Sequence, residues 1–383
     1  MLRKSTLNRT IKFLLILFGI WPGTSYILVC RGFWIITIGF IEFCHYRYFV
    51  THIYSAELLD LIDCTCSFLA HAKVLIKFIV FWLNQGTFIE MLTMITDDWS
   101  DCANSEISMR EMVCKAKISD RISNALVTLH TVTIVAYFIG IIMVDVDIIN
   151  TTELPLANKL EIPFININTQ RTYRLILLIE FLHMIMCGWA IGILNGLLLT
   201  FTLHAAGQID ILRCWLTHRV DENKHGSVVI TIRKIIEKHQ KVIEFSENIE
   251  SLYTYIALSQ FVSNTIMICS LGFLIVMAIG SPNVVEQILR SVLFYTITSL
   301  EAFIFCFAGE YLNNKSKAIG AAAYNSLWYN LKPKDSRVLL FMILRSQKQL
   351  TLTAGKMMDL SLQSFTTIMN ASGSYLSMLL AMQ

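Results

Sequence analysis

Two lysines, Lys73 and Lys77, lie one helical turn apart within an apolar run, on one face of whatever helix that run forms. A cation in such a place is costly unless it faces a charged partner or water. Glu180 and His183, in a later apolar run, are candidate partners, and Glu301 in a third run raises the same question. Two roles fit these groups. They can form a polar element lining a ligand pocket or vestibule, or a buried ion pair that fixes helix packing without binding anything. A second pattern closes the chain: Ser364, Thr367, Asn370, Ser374 and Ser377 recur every three or four residues through Gln363–Gln383. That is one narrow polar stripe on an apolar helix. It can line water or a close helix contact, and spacing alone leaves both open. Catalytic chemistry has no foothold: G-x-S-x-G, Walker A, H-E-x-x-H and G-x-G-x-x-G are all missing. The cysteines form no C-x-x-C pair and show no His/Cys ligand spacing, so they read as reduced, packed thiols. No enzyme, cofactor or metal site is expected.

The elements that carry these groups follow from hydropathy. With 55% apolar and only 15% charged residues, the composition describes a multi-span membrane protein. A spanning helix needs roughly 20 apolar residues. Seven candidates emerge: 27–49, 58–83, 123–144, 173–204, 249–280, 284–307 and 360–382. Few prolines and no low-complexity linker interrupt them, so 1–383 reads as one all-α helical domain. Within it, 1–335 holds the first six spans, and 336–383 holds a further helix and the last span. The run Thr10–Trp21 is short for a span and lacks a signal-cleavage site. It reads as a re-entrant or interfacial helix ended by Pro22.

Basic residues set the orientation. They gather before the first span (Arg3, Lys4, Arg9, Lys12), after the second (Arg110, Lys115, Lys117, Arg121), after the fourth (Arg213 to Lys241) and before the last (Lys315 to Lys356). Alternate loops hold chiefly Lys159, Arg171 and Arg174. The expected topology is N-terminus cytoplasmic and C-terminus outside, opposite to a G-protein-coupled receptor. The sequon Asn150-Thr151-Thr152 falls in a loop expected to be extracellular; the same pattern at Asn8, Asn314 and Asn370 does not. The net charge of +3 carries no message, and its distribution argues against nucleic acid as a partner. The segment Ser227–Asn248 places apolar residues at helical spacing and is expected to run unbroken into the fifth span.

The last seventy residues carry a resemblance. A-A-A-Y-N-S-L-W-Y-N (321–330), R-S-Q-K-Q-L-T-L-T-A-G (345–355) and Ser374-Tyr375 occur in order, and L-F-G-I-W-P (17–22) stands near the start. This pattern resembles the signature of insect odorant receptors. The resemblance implies a ligand-gated, non-selective cation channel of seven helices, its last helix lining the pore. It implies a plasma-membrane location in an olfactory sensory neuron. The Val338–Gln349 helix is implied to form an intracellular subunit anchor, with Trp328, Tyr329, Arg345, Gln347 and Lys348 on the matching motif. A hydrophobic gate is implied after Ser374-Tyr375. Counting onward gives Met378 and Met382, which share a helix face. The odorant is implied to bind in the outer halves of spans two to six, with Val74, Thr133, Tyr137, Ile141, Phe181, Met184, Met267 and Phe294 as candidates.

Within that family the chain looks like a ligand-selecting subunit, which pairs with the obligate co-receptor in heterotetramers and binds a small apolar odorant. The co-receptor has a longer second cytoplasmic loop. A gustatory-receptor-like channel is the nearest alternative; its usual last-helix T-Y followed by Q-F is replaced here by Ser374-Tyr375-Leu376-Ser377. A metabotropic seven-helix receptor would need reversed loop charges, an acidic-Arg-Tyr triplet and N-P-x-x-Y. A transporter would favour broken helices in paired halves.

Overall fold

A computed structural model describes the chain except residues 1–4, 104, 148–155, 164–168, 220–227, 280–283 and 382–383. The described residues are helical almost throughout: α1 (Arg9–Leu17), α2 (Ile27–His52), α3 (Leu58–Leu83), α4 (Gln85–Cys102), α5 (Glu106–Asp147), α6 (Gln170–Cys214), α7 (Val228–Ala278), α8 (Val284–Tyr324), α9 (Pro333–Gln347) and α10 (Leu362–Ala381). Six of them, α2, α3, α5, α6, α7 and α8, are long and apolar enough to cross a membrane. The seventh expected span is α10. Its 20 residues extend about 30 Å, a full bilayer core, and its polar stripe is what lowers its hydropathy. The chain is a multi-pass membrane protein.

Several helices outrun the spans expected for them. At 42, 45 and 51 residues, α5, α6 and α7 are about twice the length a bilayer demands. The hydropathy window sees only the apolar half of each; the charged half continues the same helix. Ser227–Asn248 is the clearest case, since α7 runs from Val228 through the fifth span without a break. Helix α4 is not among the elements expected from hydropathy, because its apolar residues are diluted by Glu90, Asp97, Asp98 and Asp101. Its buried face of Phe88, Met91, Ile95, Trp99 and Cys102 nevertheless has helical spacing.

Helix α1 buries Ile11, Leu14 and Leu15 against the bundle. It ends at Leu17, ahead of Pro22. The amides of Gly19 and Ile20 donate to Ile16 and Leu15, at 3.0 and 2.9 Å. Two indoles serve the same end: Trp34 Nε1 donates to the Leu17 carbonyl (3.1 Å) and Trp82 Nε1 to that of Phe18 (3.2 Å). Carbonyls that a helix end leaves without partners are thus satisfied from α2 and α3.

Helices α5 and α6 pack closely along much of their length. Gly188, Gly192 and Gly196 recur every four residues on α6, and at Gly196 a Cβ would come within 2.7 Å of Ser123 Oγ. Small residues at this spacing let two helix backbones approach closely where hydrophobic drive is weak. The T-A-G-K run is a hairpin: β1 (Thr353–Ala354) pairs antiparallel with β2 (Met358–Asp359). Gly355 turns it at φ +61°, and its amide donates to Thr254 on α7 at 2.9 Å. Thr353 also donates its amide to Glu250 at 2.7 Å. The hairpin so clamps the joint between α9 and α10 onto α7. Helix α9 begins five residues before the expected Val338, at Pro333, a residue preorganised for a first helical turn.

Candidate functional site

A cavity of about 90 Å³ lies between α3, α5, α6, α7 and α8. Six of the eight candidate ligand residues line it: Val74, Thr133, Tyr137, Met184, Met267 and Phe294. Ile141 and Phe181 do not. They stand behind the wall, in a cluster with Tyr137, Phe138, Tyr173 and Leu177, where the Phe138 and Phe181 rings meet edge to face at 4.9 Å. Tyr137 and Phe294 form a perpendicular pair at 6.0 Å.

Leu156–Asn158, from the connection between α5 and α6, folds onto the same cluster. The Tyr137 hydroxyl donates to the Ala157 carbonyl, Glu180 Oε2 accepts the Ala157 amide at 3.1 Å, and Asn158 lines the cavity. Arg290 lies over the Tyr137 ring at 5.0 Å and bonds Asp63 at 2.8 Å, holding α8 to α3. The sequon at Asn150 lies outside the described residues.

The buried lysines find other partners than the sequence suggested. Lys73 Nζ lies 2.7 Å from Glu301 Oε2 and donates to Asn264 Oδ1 at 3.0 Å. Gln260 adds a 3.3 Å bond to the same carboxylate. Lys77 Nζ donates to Asn195 Oδ1 at 2.8 Å. Glu180 is engaged by the Ala157 amide instead, and His183 stacks on His71 with centroids 5.4 Å apart. The amides of Asn195 and Asn264 and the carboxamide of Gln260 gave no pattern signal in sequence; only tertiary packing brings them to the lysines. The Lys73–Glu301 pair lies on the cavity wall, and Glu301 Oε1 is buried with no hydrogen-bond partner. The cavity is therefore apolar on most sides with a charged patch along one wall.

A second cluster joins two histidines and a cysteine that the reading of the cysteines did not connect. His183 and Cys187 are one turn apart on α6, and His71 faces them from α3, with donor atoms all within 4.8 Å of one another. H-x-x-x-C was legible on one helix; the third member was not, because it lies more than a hundred residues away.

On α10, Ser364, Ile368 and Ser372 are buried, and Ser372 Oγ donates to the Thr265 carbonyl of α7 at 3.3 Å. The rest of the polar stripe, Thr367, Asn370, Ser374 and Ser377, is exposed on the outside of the bundle. So is Met378, at 62% of its surface. Met382 lies outside the described residues. The anchor candidates sit on two neighbouring elements of the chain. Trp328 and Tyr329 are exposed in the turn after α8, Gln347 and Lys348 are exposed at the end of α9, and Arg345 bends back to the Lys348 carbonyl at 3.1 Å. Leu340, Phe341 and Leu344 are also more than half exposed on α9.

Beyond the spans, α4 supplies a buried polar centre. Asp98 accepts from Lys238 Nζ at 2.8 Å and bonds His204 Nε2 at 3.0 Å. His204 Nδ1 meets Thr6 Oγ1 at 3.3 Å, and Trp99 Nε1 donates to that same hydroxyl at 2.7 Å. Burial by itself would raise the pKa of Asp98. The His204 hydrogen bond and the Lys238 charge outweigh it and hold Asp98 below the usual carboxylate range.

The profile of the 7tm odorant receptor family matches residues 57–373. The chain belongs to that family. Odorant receptor 10 of Aedes albopictus is 32% identical over 163 residues, 41% of this chain and 40% of its own length. Odorant receptor Or2 of Anopheles gambiae is 27% identical over 154 residues, 40% of each chain. The match thus spans about two fifths of these relatives. In the solved structure of the olfactory receptor OR5 of Machilis hrabei in complex with eugenol, the fold recurs at a TM-score of 0.83, covering 98% of both chains at 14% identity. The structure of the same receptor described without eugenol gives 0.78. At such identity the likeness speaks for the fold. Membership of this odorant receptor family, rather than of any enzyme family, agrees with the missing catalytic motifs.

Proposed function

We propose that this odorant receptor is a ligand-selecting olfactory subunit. It binds a small apolar odorant in the cavity between α3, α5, α6, α7 and α8, and opens a non-selective cation channel in complex with the odorant receptor co-receptor. The observation that carries the reading is the cavity itself. Val74, Thr133, Tyr137, Met184, Met267 and Phe294 converge on it from five helices, leaving a mainly apolar enclosure with few polar groups, as small-molecule sites require. The solved relative with eugenol supports a compound of that kind.

The exposed stripe on α10 supports the pore. Asn370, Ser374 and Ser377 on an outer surface would meet lipid in a lone subunit and water in a ring of subunits. Ser374, Met378 and Met382 are then the gate-proximal residues, closing by dewetting. Trp328, Tyr329, Arg345, Gln347 and Lys348, with the exposed apolar residues of α9, form the subunit anchor on the cytoplasmic side. The whole chain acts as one unit, N-terminus inside and C-terminus outside, in the plasma membrane of an olfactory sensory neuron.

Excised-patch recording from cells expressing this chain with and without the co-receptor, against an odorant panel, tests the reading. Odorant-evoked cation currents that need both chains and no GTP are expected. Responses that require GTP, or an N-terminal tag stained on unpermeabilised cells, overturn it.

A further inference from the structure

The cluster of His71, His183 and Cys187 has no part in the gating scheme, and its chemistry is that of a metal centre. Two nitrogen donors and one sulfur converge from α3 and α6 with their donor atoms within 4.8 Å of one another. Cys187 Sγ lies 3.7 and 3.8 Å from the two ring nitrogens of His183. Around a tetrahedral zinc ion, with bonds of about 2.0–2.3 Å, donors stand about 3.3–3.6 Å apart. Closing on an ion therefore requires the donors to draw together and the stacked rings of His71 and His183 to turn toward it.

His71 is also held in the manner of a ligand. Its Nδ1 sits 2.8 Å from the Ser67 carbonyl, which can only accept, so Nδ1 carries the hydrogen. In the neutral ring this leaves Nε2 with the lone pair. A backbone carbonyl that fixes the tautomer of an imidazole is the usual outer support of a metal-bound histidine. A third imidazole, His45, is wholly buried against His71 with centroids 5.5 Å apart.

The geometry points to His71, His183 and Cys187 as a three-ligand site for a borderline or soft transition ion, Zn²⁺ being the member of that class to test. A thiolate with two imidazoles selects zinc or copper(I) over magnesium or calcium. Binding exchanges the Cys187 thiol proton for the ion; the S–H bond breaks, the Zn–S bond forms, and the proton leaves to solvent. His71 and Cys187 also line the cavity, so an ion held there would border it, and three protein ligands would leave a fourth position for water or another ligand. Whether a cavity occupant then uses that position rests on the odorant reading; occupancy by the ion does not.

The test uses the full-length chain, purified in nanodiscs, with Zn²⁺ and with Co²⁺ as its spectroscopic substitute. One Zn²⁺ per chain should survive dialysis, and Co²⁺ should give a thiolate charge-transfer band. Cys187→Ser should abolish the band and weaken Zn²⁺ binding by at least about tenfold, as should His183→Phe. Exposed Cys114→Ser should leave both intact. Helical circular dichroism and size-exclusion profiles matching the parent show that each variant is folded. A variant that fails this check is replaced by Cys187→Ala or His183→Asn. Zinc lost on dialysis, or a band that persists in folded Cys187→Ser, overturns the assignment and leaves a stacked histidine core.

Discussion

Lys73 on α3 and Glu301 on α8 meet at 2.7 Å, each all but closed to solvent, along one wall of the cavity. The pair ties together two helices 228 residues apart in sequence. A buried pair of this kind owes its effect to completeness, because removing one partner strands the other charge.

Glu301→Leu or Lys73→Met alone should therefore cost roughly 3–5 kcal/mol of stability. The double variant Lys73→Met/Glu301→Leu should recover most of it, since an apolar pair of similar volume needs no desolvation. Thermal unfolding of the purified chain followed by fluorescence measures all three. Strictly additive losses would show that the two residues act independently.

Asp98 gives a pH-dependent contribution of known sign. Its folded pKa is lowered, with His204 and Lys238 as the cause. The stabilisation is full above the ordinary carboxylate value and is lost as pH falls through the folded value, below about 4. Asp98→Asn should be markedly less stable than the parent at pH 7, with the gap closing as the medium is acidified through that window. Unfolding midpoints of both chains from pH 7 to pH 3 provide the comparison. A constant gap would mean that shape, not charge, is what Asp98 supplies.

Met378 is exposed on the bundle surface of a single chain, one residue beyond the serine-bearing stripe of α10. If that surface closes the pore, Met378→Ser should hydrate the constriction and raise ligand-free current in the assembled channel. Single-channel recording reads it out. Lower surface expression with unchanged resting open probability and conductance would assign Met378 to helix packing.

The sequence made the architecture legible where one element carried the whole signal. Hydropathy located the six helices long and apolar enough to cross a membrane, because burial in lipid demands long apolar runs, and the charged continuation of α7 was readable from its period. Helix α4 was hidden because its four acidic residues depress its hydropathy. The cavity wall was legible in part: Val74, Thr133, Tyr137, Met184, Met267 and Phe294 reach it, whereas Ile141 and Phe181 lie one layer behind. Depth along a span can be counted in residues, but helix rotation is set by neighbours. The same reason explains Lys73. Glu180 lay at a suitable depth, yet the rotation of α6 turns it to the Ala157 amide and leaves Glu301 to face the lysine. The His71–His183–Cys187 cluster escaped because it spans two helices.

On the proposed function, the cavity between α3, α5, α6, α7 and α8 governs ligand response. Val74 is buried on its wall, and Leu178 on α6 is half exposed on the outside of the bundle. The measurement is the concentration–response curve of the most effective panel compound, recorded with the co-receptor, for the parent, Val74→Phe and Leu178→Phe. Filling the cavity should shift the Val74→Phe curve by about tenfold or more, equivalent to about 1.4 kcal/mol. The Leu178→Phe curve and the response of all three channels to an agonist acting on the co-receptor should stay unchanged. A Val74→Phe curve superimposable on the parent at equal surface expression would contradict the account.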